Sequence, residues 1–169
     1  KARDKKTSFA EELYPYSPKY SLTLQRLNEA YKQDKKVFIY IRAVSGGGAK
    51  ALREILIANN YRDATFSRTF LKKEGLKQLP KKKEKRFIFL TGDTNINKTS
   101  VIDIFNNPRN AKGEYIQLIV GTDTITQGYS IKDIQEMHVH DPPWNYSTLE
   151  QAIGRVVRRD SHNYINKIL

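Results

Sequence analysis

Cysteine is absent from this 169-residue sequence, and methionine and tryptophan occur once each. Without cysteine there is no disulfide, no thiol nucleophile and none of the strongest zinc ligands, which suits a reducing compartment. No apolar run approaches the ~18 residues needed to span a bilayer, and no signal-peptide pattern is present, so no membrane partner is expected. There is no G-x-S-x-G elbow, which leaves a hydrolase triad without support. An intact G-x-x-x-x-G-K-[ST] loop is also missing. The chain starts at Lys1 rather than at methionine and is expected to be a piece of a longer polypeptide.

Basic residues, by contrast, are plentiful. The formal charge is +12 and the pI near 9.8, a balance that points to a polyanion and most directly to nucleic acid. The stretch 72–86, KKEGLKQLPKKKEKR, holds eight Lys/Arg against two Glu and so half of the net charge. Lys81, Lys82 and Lys83 are its densest part and candidate phosphate contacts; a solvated lysine-rich loop is the plainer reading. With 38% hydrophobic and 11% aromatic residues the chain can bury a core, and its length fits one domain.

Along the chain, residues 1–16 read as a loose polar lead-in to a domain spanning 17–169. Ser17 as N-cap, Pro18 at the first helical position, and Leu24, Leu27 and Tyr31 at helical spacing predict a helix. Apolar runs of strand length follow at 36–41, 86–92, 115–122 and 134–141. Between them lie amphipathic helices at 49–59 and 98–107, and a last helix at 147–159 whose Ser147 and Glu150 have capping-box spacing. A basic surface insertion is expected at about 62–86. Short apolar strands alternating with helices predict a single α/β domain with a mostly parallel sheet and helices on both faces. Ligands of such sheets gather at the carboxyl ends of the strands, here the loops from Ser45, Thr91, Thr122 and Asp141.

Three constellations carry possible chemistry. The stretch LTGDTNINKTS, 90–100, nearly spells a phosphate-binding loop, with Asn97 where the second glycine belongs. It reads as a degenerate NTP cradle, as a turn in which Asn97 or Thr99 caps the next helix, or as a backbone contact to a nucleic-acid phosphate. His138 and His140 share one face of a strand beside Asp141, but third and fourth ligands are missing, so no metal site is expected. In QAIGRVVRR, Gln151, Arg155 and Arg158 fall on one helical stripe, opposite Ala152, Ile153, Val156 and Val157. Guanidinium forks match phosphate oxygens and can neutralise charge in phosphoryl transfer. Gly154 costs about 1 kcal/mol of helix stability relative to alanine, which suggests a close backbone approach.

QAIGRVVRR resembles motif VI, Q-x-x-G-R-x-x-R, of the superfamily 2 helicases and translocases. VGTDTITQGYSI, 120–131, resembles their motif V, and DPPWNYSTLEQAIGR is similar to the corresponding run of Swi/Snf-type translocases. KVFIYI with its polar loop from Ser45 sits where motif IV belongs, and SPKYSLTLQRL resembles the helix that opens the second lobe. More closely, the pattern is similar to NTPases and early transcription factors of large cytoplasmic DNA viruses of the pox, asfar and mimi type. The resemblance covers most of 17–160 and implies the second, C-terminal RecA-like lobe.

It also implies roles. Arg155 and Arg158 become arginine fingers on the γ-phosphate of ATP, which with Mg²⁺ is held mainly by an N-terminal RecA-like lobe of the same chain. Gln151, Gly128 and Ser130 fall at nucleotide-binding positions, although Ser130 replaces the aspartate that DEAD-box proteins carry there. Thr122 and Gly121 fall at nucleic-acid contacts. LTGDTN resembles the h-G-d segment between motifs IV and V, which places Gly92 and Asp93 in a turn facing nucleic acid. The insertion has no counterpart in the family pattern. The expectation is a motor acting on nucleic acid, DNA favoured over RNA, intracellular and, if viral, in the host cytoplasm or virion. Phosphoryl transfer needs both a phosphate cradle and a Mg²⁺ holder, so this piece alone is expected to hydrolyse no NTP. The alternative is a non-catalytic basic nucleic-acid-binding module.

Overall fold

A computed structural model describes residues 9–65, 83–92, 97–122 and 128–156, with the backbone alone for 152, 155 and 156. Five strands form one sheet in the order β2-β3-β4-β1-β5. They are β1 (Lys36–Tyr40), β2 (Arg62–Asp63), β3 (Arg86–Leu90), β4 (Leu118–Gly121) and β5 (Ile134–Val139). Every pairing is parallel. Helices α1 (Phe9–Leu13), α2 (Pro18–Lys32), α3 (Ala49–Ala58), α4 (Lys98–Phe105) and α5 (Tyr146–Val156) complete the described elements, with one 3₁₀ turn at Pro108–Asn110.

The continuous apolar strands exist because both faces of the sheet are covered. Val37, Ile39, Phe87, Phe89, Leu118 and Val120 point to a cluster built with Leu24 and Leu27 of α2 and Leu52 and Leu56 of α3. Phe38, Tyr40, Ile88, Leu90 and Ile119 point the other way, against Val101, Ile102 and Phe105 of α4. Each such fully buried side chain contributes roughly 1.5–3 kcal/mol by leaving water. The expected α/β domain with helices on both faces is therefore what forms. Ser17 caps α2, its hydroxyl accepting from Tyr20 N at 3.4 Å, with Pro18 first in the helix.

Several boundaries differ from the sequence reading. Part of the supposed lead-in is helix α1, whose Ala10 is buried and accepts at its carbonyl from Ser21 Oγ at 2.6 Å. The segment read as an insertion from about 62 begins inside the sheet: Arg62 and Asp63 pair with Arg86 and Phe87, and Ala64 and Thr65 are buried. The strand expected from 115 starts at Leu118, because the buried Asn110 amide oxygen takes Tyr115 N at 2.9 Å and Ile116 N at 3.0 Å.

Candidate functional site

The register aligns Leu90, Gly121, Tyr40 and Val139 at the carboxyl ends of four adjacent strands. One residue further, backbone bonds still cross the edge. Thr122 N donates to Leu90 O at 3.3 Å, Ile41 N to Gly121 O at 3.1 Å and His140 N to Tyr40 O at 2.9 Å. Gly121 and Thr122, both buried, thus stand in the middle of this edge, with Gly92 exposed in a turn beside them. The loop after β1 carries exposed Ser45 to the same end of the sheet. Four of the nucleic-acid candidates are therefore brought together.

The loop after β1 is held by groups the sequence reading did not single out. Gly46 and Gly47 have φ of 59° and 82°, a region that other residues enter at a cost. Gly48 is required sterically, since a Cβ there would collide with the carbonyl of Ala43. The Tyr20 hydroxyl on α2 reaches the carbonyls of Gly47 and, at 3.1 Å, Gly48. Burial, and then the charge of Asp141, raise the Tyr20 phenol above its ordinary pKa, which keeps it a donor. Asp141, following β5, accepts from Ala43 N and from Lys19 Nζ, both at 3.3 Å. Asp141 thereby joins the β1 and β5 loops to α2. A tyrosine on a predicted core helix and an aspartate after a strand carry no local mark of this role.

The near-P-loop resolves in favour of the capping reading. Asn97 is the N-cap of α4, with φ −71°, and its side-chain oxygen accepts from Ser100 N at 3.1 Å. One amide donor of the first turn is thus already used. The start of α3 is likewise closed: Ala49 N donates to Ala43 O at 2.7 Å and Lys50 N to Val44 O at 3.0 Å.

Helix α5 starts just past the carboxyl end of β5. Its cap is Asn145 rather than Ser147: the Asn145 amide oxygen accepts from Ser147 N at 2.9 Å and from Ser147 Oγ at 2.8 Å. Gln151 is exposed. Ile153, expected to be buried, is 39% exposed, and a Cβ added at Gly154 would meet nothing within 4 Å. The close approach suggested for Gly154 is therefore not made by the described residues. Trp144, which the sequence reading passed over, is fully exposed, and Tyr146 is 71% exposed. Arg155 lies on the helix by its backbone; Arg158, Asp93, Lys81 and Lys82 lie outside the described residues.

Two other candidates go elsewhere. Ser130 O accepts from Asn106 Nδ2 at 2.8 Å, and Lys132 N donates to Asn106 Oδ1 at 2.8 Å. Asn106 is the C-cap of α4, and Lys36 at the start of β1 donates to Phe105 O and Lys132 O, each at 2.8 Å. Ser130 therefore sits toward the amino ends of the strands, whereas Gly121 and Thr122 stand at the carboxyl ends; Gly128 is exposed. Lys83, three residues before β3, is also at the amino end, far from Gly92.

The histidines have protein partners. Thr23 Oγ1 donates to Lys19 O at 2.9 Å, so at 2.9 Å from His140 it accepts from Nε2–H. Burial first, then the nearby charges of Lys19 and His138, lower His140 to about 4, so it is neutral near pH 7. His138 Nε2 faces Glu136 at 3.5 Å. Among the described residues no group of three His, Cys, Asp or Glu converges as metal ligands would.

A parallel sheet with helices on both faces, and loops gathered at its carboxyl edge, defines a RecA-like α/β domain. Residues 23–160 match the family described as the helicase conserved C-terminal domain, and the chain belongs to that family. It is 37% identical over 157 residues to a protein of Invertebrate iridescent virus 3 named "Putative helicase 087L", covering 92% of this chain and 15% of the relative. It is 30% identical over 148 residues to a protein of Acanthamoeba polyphaga mimivirus named "Putative ATP-dependent RNA helicase R563", covering 87% of this chain and 23% of the relative. A third, "Putative helicase 009L" of Frog virus 3, is 33% identical over 145 residues, covering 85% of this chain and 14% of the relative. The chain thus spans a quarter or less of each of these relatives. Among the described residues no helix is long and apolar enough to cross a membrane.

Proposed function

We propose that the chain is the second motor lobe of an ATP-dependent nucleic-acid helicase or translocase of superfamily 2, viral and serving transcription or replication. The observation that carries this reading is the placement of the family's two specific motifs. Gly121 and Thr122 lie at the centre of the carboxyl edge, and α5, with Gln151 exposed, starts beside it. The described residues offer no enclosing cradle for a triphosphate, because the starts of α3 and α4 spend amide donors on their own loops. They fit instead a partial site that completes a nucleotide held by another lobe. Arg155 and Arg158 would face the γ-phosphate and Gln151 the remainder, whereas Ser130, tied to Asn106 at the amino ends of the strands, lies away from it. ATP with Mg²⁺, when bound between lobes, supplies the phosphoryl chemistry; the arginines of this chain contribute positive charge where the transferred group becomes more negative.

Thr122, Gly121, Gly92, Asp93 and Ser45 would track a nucleic-acid backbone as the two lobes close and open. The relatives' names include RNA helicases, while the polyanion argument from charge serves either nucleic acid; we keep DNA as the favoured track. An intracellular setting, host cytoplasm or virion, follows from the same reading. The test uses the full-length protein. Arg155→Ala and Arg158→Ala should each lower kcat for NTP hydrolysis by at least ~10³-fold, the low end of what arginine fingers contribute, with nucleic-acid affinity retained. Full hydrolysis in both variants would sink the assignment and favour a non-catalytic binding module. This chain alone should hydrolyse no NTP.

A further inference from the structure

The amino ends of β2 and β3 form a second basic surface, on the opposite end of the sheet from the motor edge. Tyr31, near the end of α2, organises it. Its hydroxyl donates to Lys83 O at 2.9 Å, and Lys83 Nζ returns a bond to Tyr31 O at 3.3 Å and reaches the Asp34 carboxylate. Lys85 Nζ lies 5.4 Å from the Tyr31 ring centroid and 5.2 Å from that of Tyr61, and its polar partner is the Asn28 amide oxygen at 2.6 Å. Glu84 is shared by two guanidiniums, Arg62 and Arg86, each at 2.8 Å. The residues entering β3 are thus fixed against α2, with basic groups outnumbering acids. Arg62 is 70% exposed, and Lys32 at the end of α2 is exposed too. Consistent with crowding of positive charge, Lys85 is held below the ordinary lysine pKa by burial first and then by Lys32.

We propose that this surface binds the phosphate backbone of a nucleic-acid segment, independently of sequence and separately from the strand tracked at the carboxyl edge. Lysine ammoniums and an exposed guanidinium meet phosphate without needing a base edge, and such contacts position nucleic acid rather than read it. Separation argues for a second segment. β3 itself is five residues, Arg86–Leu90, at ~3.3 Å each, so with Lys85 just before it and Gly92 just after it the two ends stand roughly 20 Å apart. One short stretch of strand lying along Ser45, Gly92 and Thr122 does not reach Lys85 and Arg62. The inference rests on the motor reading only in that the protein works on nucleic acid.

The experiment measures nucleic-acid binding by the full-length protein between ~50 and ~200 mM salt, with a four-nucleotide single strand, about 10 Å long at ~3.4 Å per step, and a forty-base-pair duplex of mixed sequence as probes. Each lost phosphate contact should lower the slope of log affinity against log salt by ~0.9 on duplex DNA. The triple variant Lys32→Gln, Arg62→Gln, Lys85→Gln should lose two to three such contacts on the duplex and bind it about tenfold or more weakly, while affinity for the short strand is unchanged. Arg62→Gln alone, which leaves Lys85 in place, should lose one. An unchanged slope for the duplex overturns the proposal, and so does equal weakening of both probes, which would merge the two sites. Arg155→Ala, measured in parallel, should lose hydrolysis and keep the slope, so failure of the motor reading and failure of this one give different results.

Discussion

The two ends of this sheet are built from different materials. At the carboxyl edge the working parts are loops and helix starts, held in shape by hydrogen bonds: Tyr20 to Gly47 and Gly48, Asp141 to Ala43, Asn97 and Asn145 as caps. At the amino edge the parts are basic side chains anchored in the fold, with Lys83 and Lys85 tied to α2. The first end owes its properties to backbone shape, so under the proposed motor function it suits contacts that form and release in each cycle. The second owes them to fixed charge, so it suits a contact that persists. Variants that act on one end and spare the other test this division.

The largest effect is expected at the amino edge. Lys36 donates to two carbonyls and lies 4.0 Å from the Phe105 ring centroid, which ties β1, α4 and the entry to β5 together. Lys36→Ala removes the buried stem and both of its hydrogen bonds, leaving Phe105 O to the Asn110 amide at 3.0 Å, at a cost of about 2–4 kcal/mol, seen in urea unfolding. Burial lowers Lys36 to about 7, against the ordinary 10.5, despite the opposing charges of Asp133 and Glu114. Between pH 7 and 10.5 the unfolded chain therefore holds a proton that the folded one lacks, so stability should rise with pH across that window. Below about 7 the penalty is complete. Lys36→Met should flatten the rise; an unaltered rise in that variant would show that the charge is not held there.

At the carboxyl edge, Gly48→Ala drives a methyl against the Ala43 carbonyl and should cost about 1–3 kcal/mol, in line with other overpacked sites. Because the strain falls on the loop bearing Ser45, affinity for a short single strand should fall as well. Binding of the long duplex through the amino-edge lysines should be spared. Loss of both together would deny that the ends work separately. His140 supplies a pH counterpart. With its folded pKa near 4 and an ordinary value of 6.5, stability should drop as pH falls from about 6.5 to 4, by at most roughly 3.5 kcal/mol at ~1.4 kcal/mol per unit. His140→Gln should remove that step in thermal melts taken across the range.

Elements with a strong local signal were legible, and those made by tertiary contact were not. Four apolar runs became β1, β3, β4 and β5 because a sheet covered on both faces needs unbroken apolar strands. β2 was missed because Arg62 and Asp63 are polar and too few to show a period; only their pairing with β3 makes them a strand. α1 was hidden for a similar reason, a five-residue helix in a polar segment, anchored by Ala10 and the hydroxyl of Ser21. At the site, the Asn97 cap was readable because its chemistry is local, whereas the need for Gly48 was not, since Ala43 and Tyr20 create it. The opposite placement of Lys83 and Gly92 was not, since a residue just before a strand and one just after it look adjacent in a list of motifs. Only the direction of β3 reveals that they face opposite ways.

The smallest effect concerns α5, where two caps competed in the sequence. The capping-box spacing favoured Ser147, yet the structure starts the helix at Tyr146 and gives the first free amide to Asn145. Asn145 also takes the Ser147 hydroxyl, so the serine supports the asparagine instead of replacing it. Asn145→Ala should cost about 1 kcal/mol, a usual value for a lost N-cap, whereas Ser147→Ala should cost a few tenths, having lost only an exposed hydroxyl bond. The two substitutions also bear on the comparison of the edges. α5 carries Gln151 and Arg155 from its anchored start, so fraying that start should lower NTP turnover of the full-length protein severalfold for Asn145→Ala and little for Ser147→Ala. Duplex binding through Lys85 and Arg62 should be the same in both. If Ser147→Ala proved the more damaging of the pair, the helix would start two residues later than described and the stripe of Gln151 and Arg155 would be presented by a different cap.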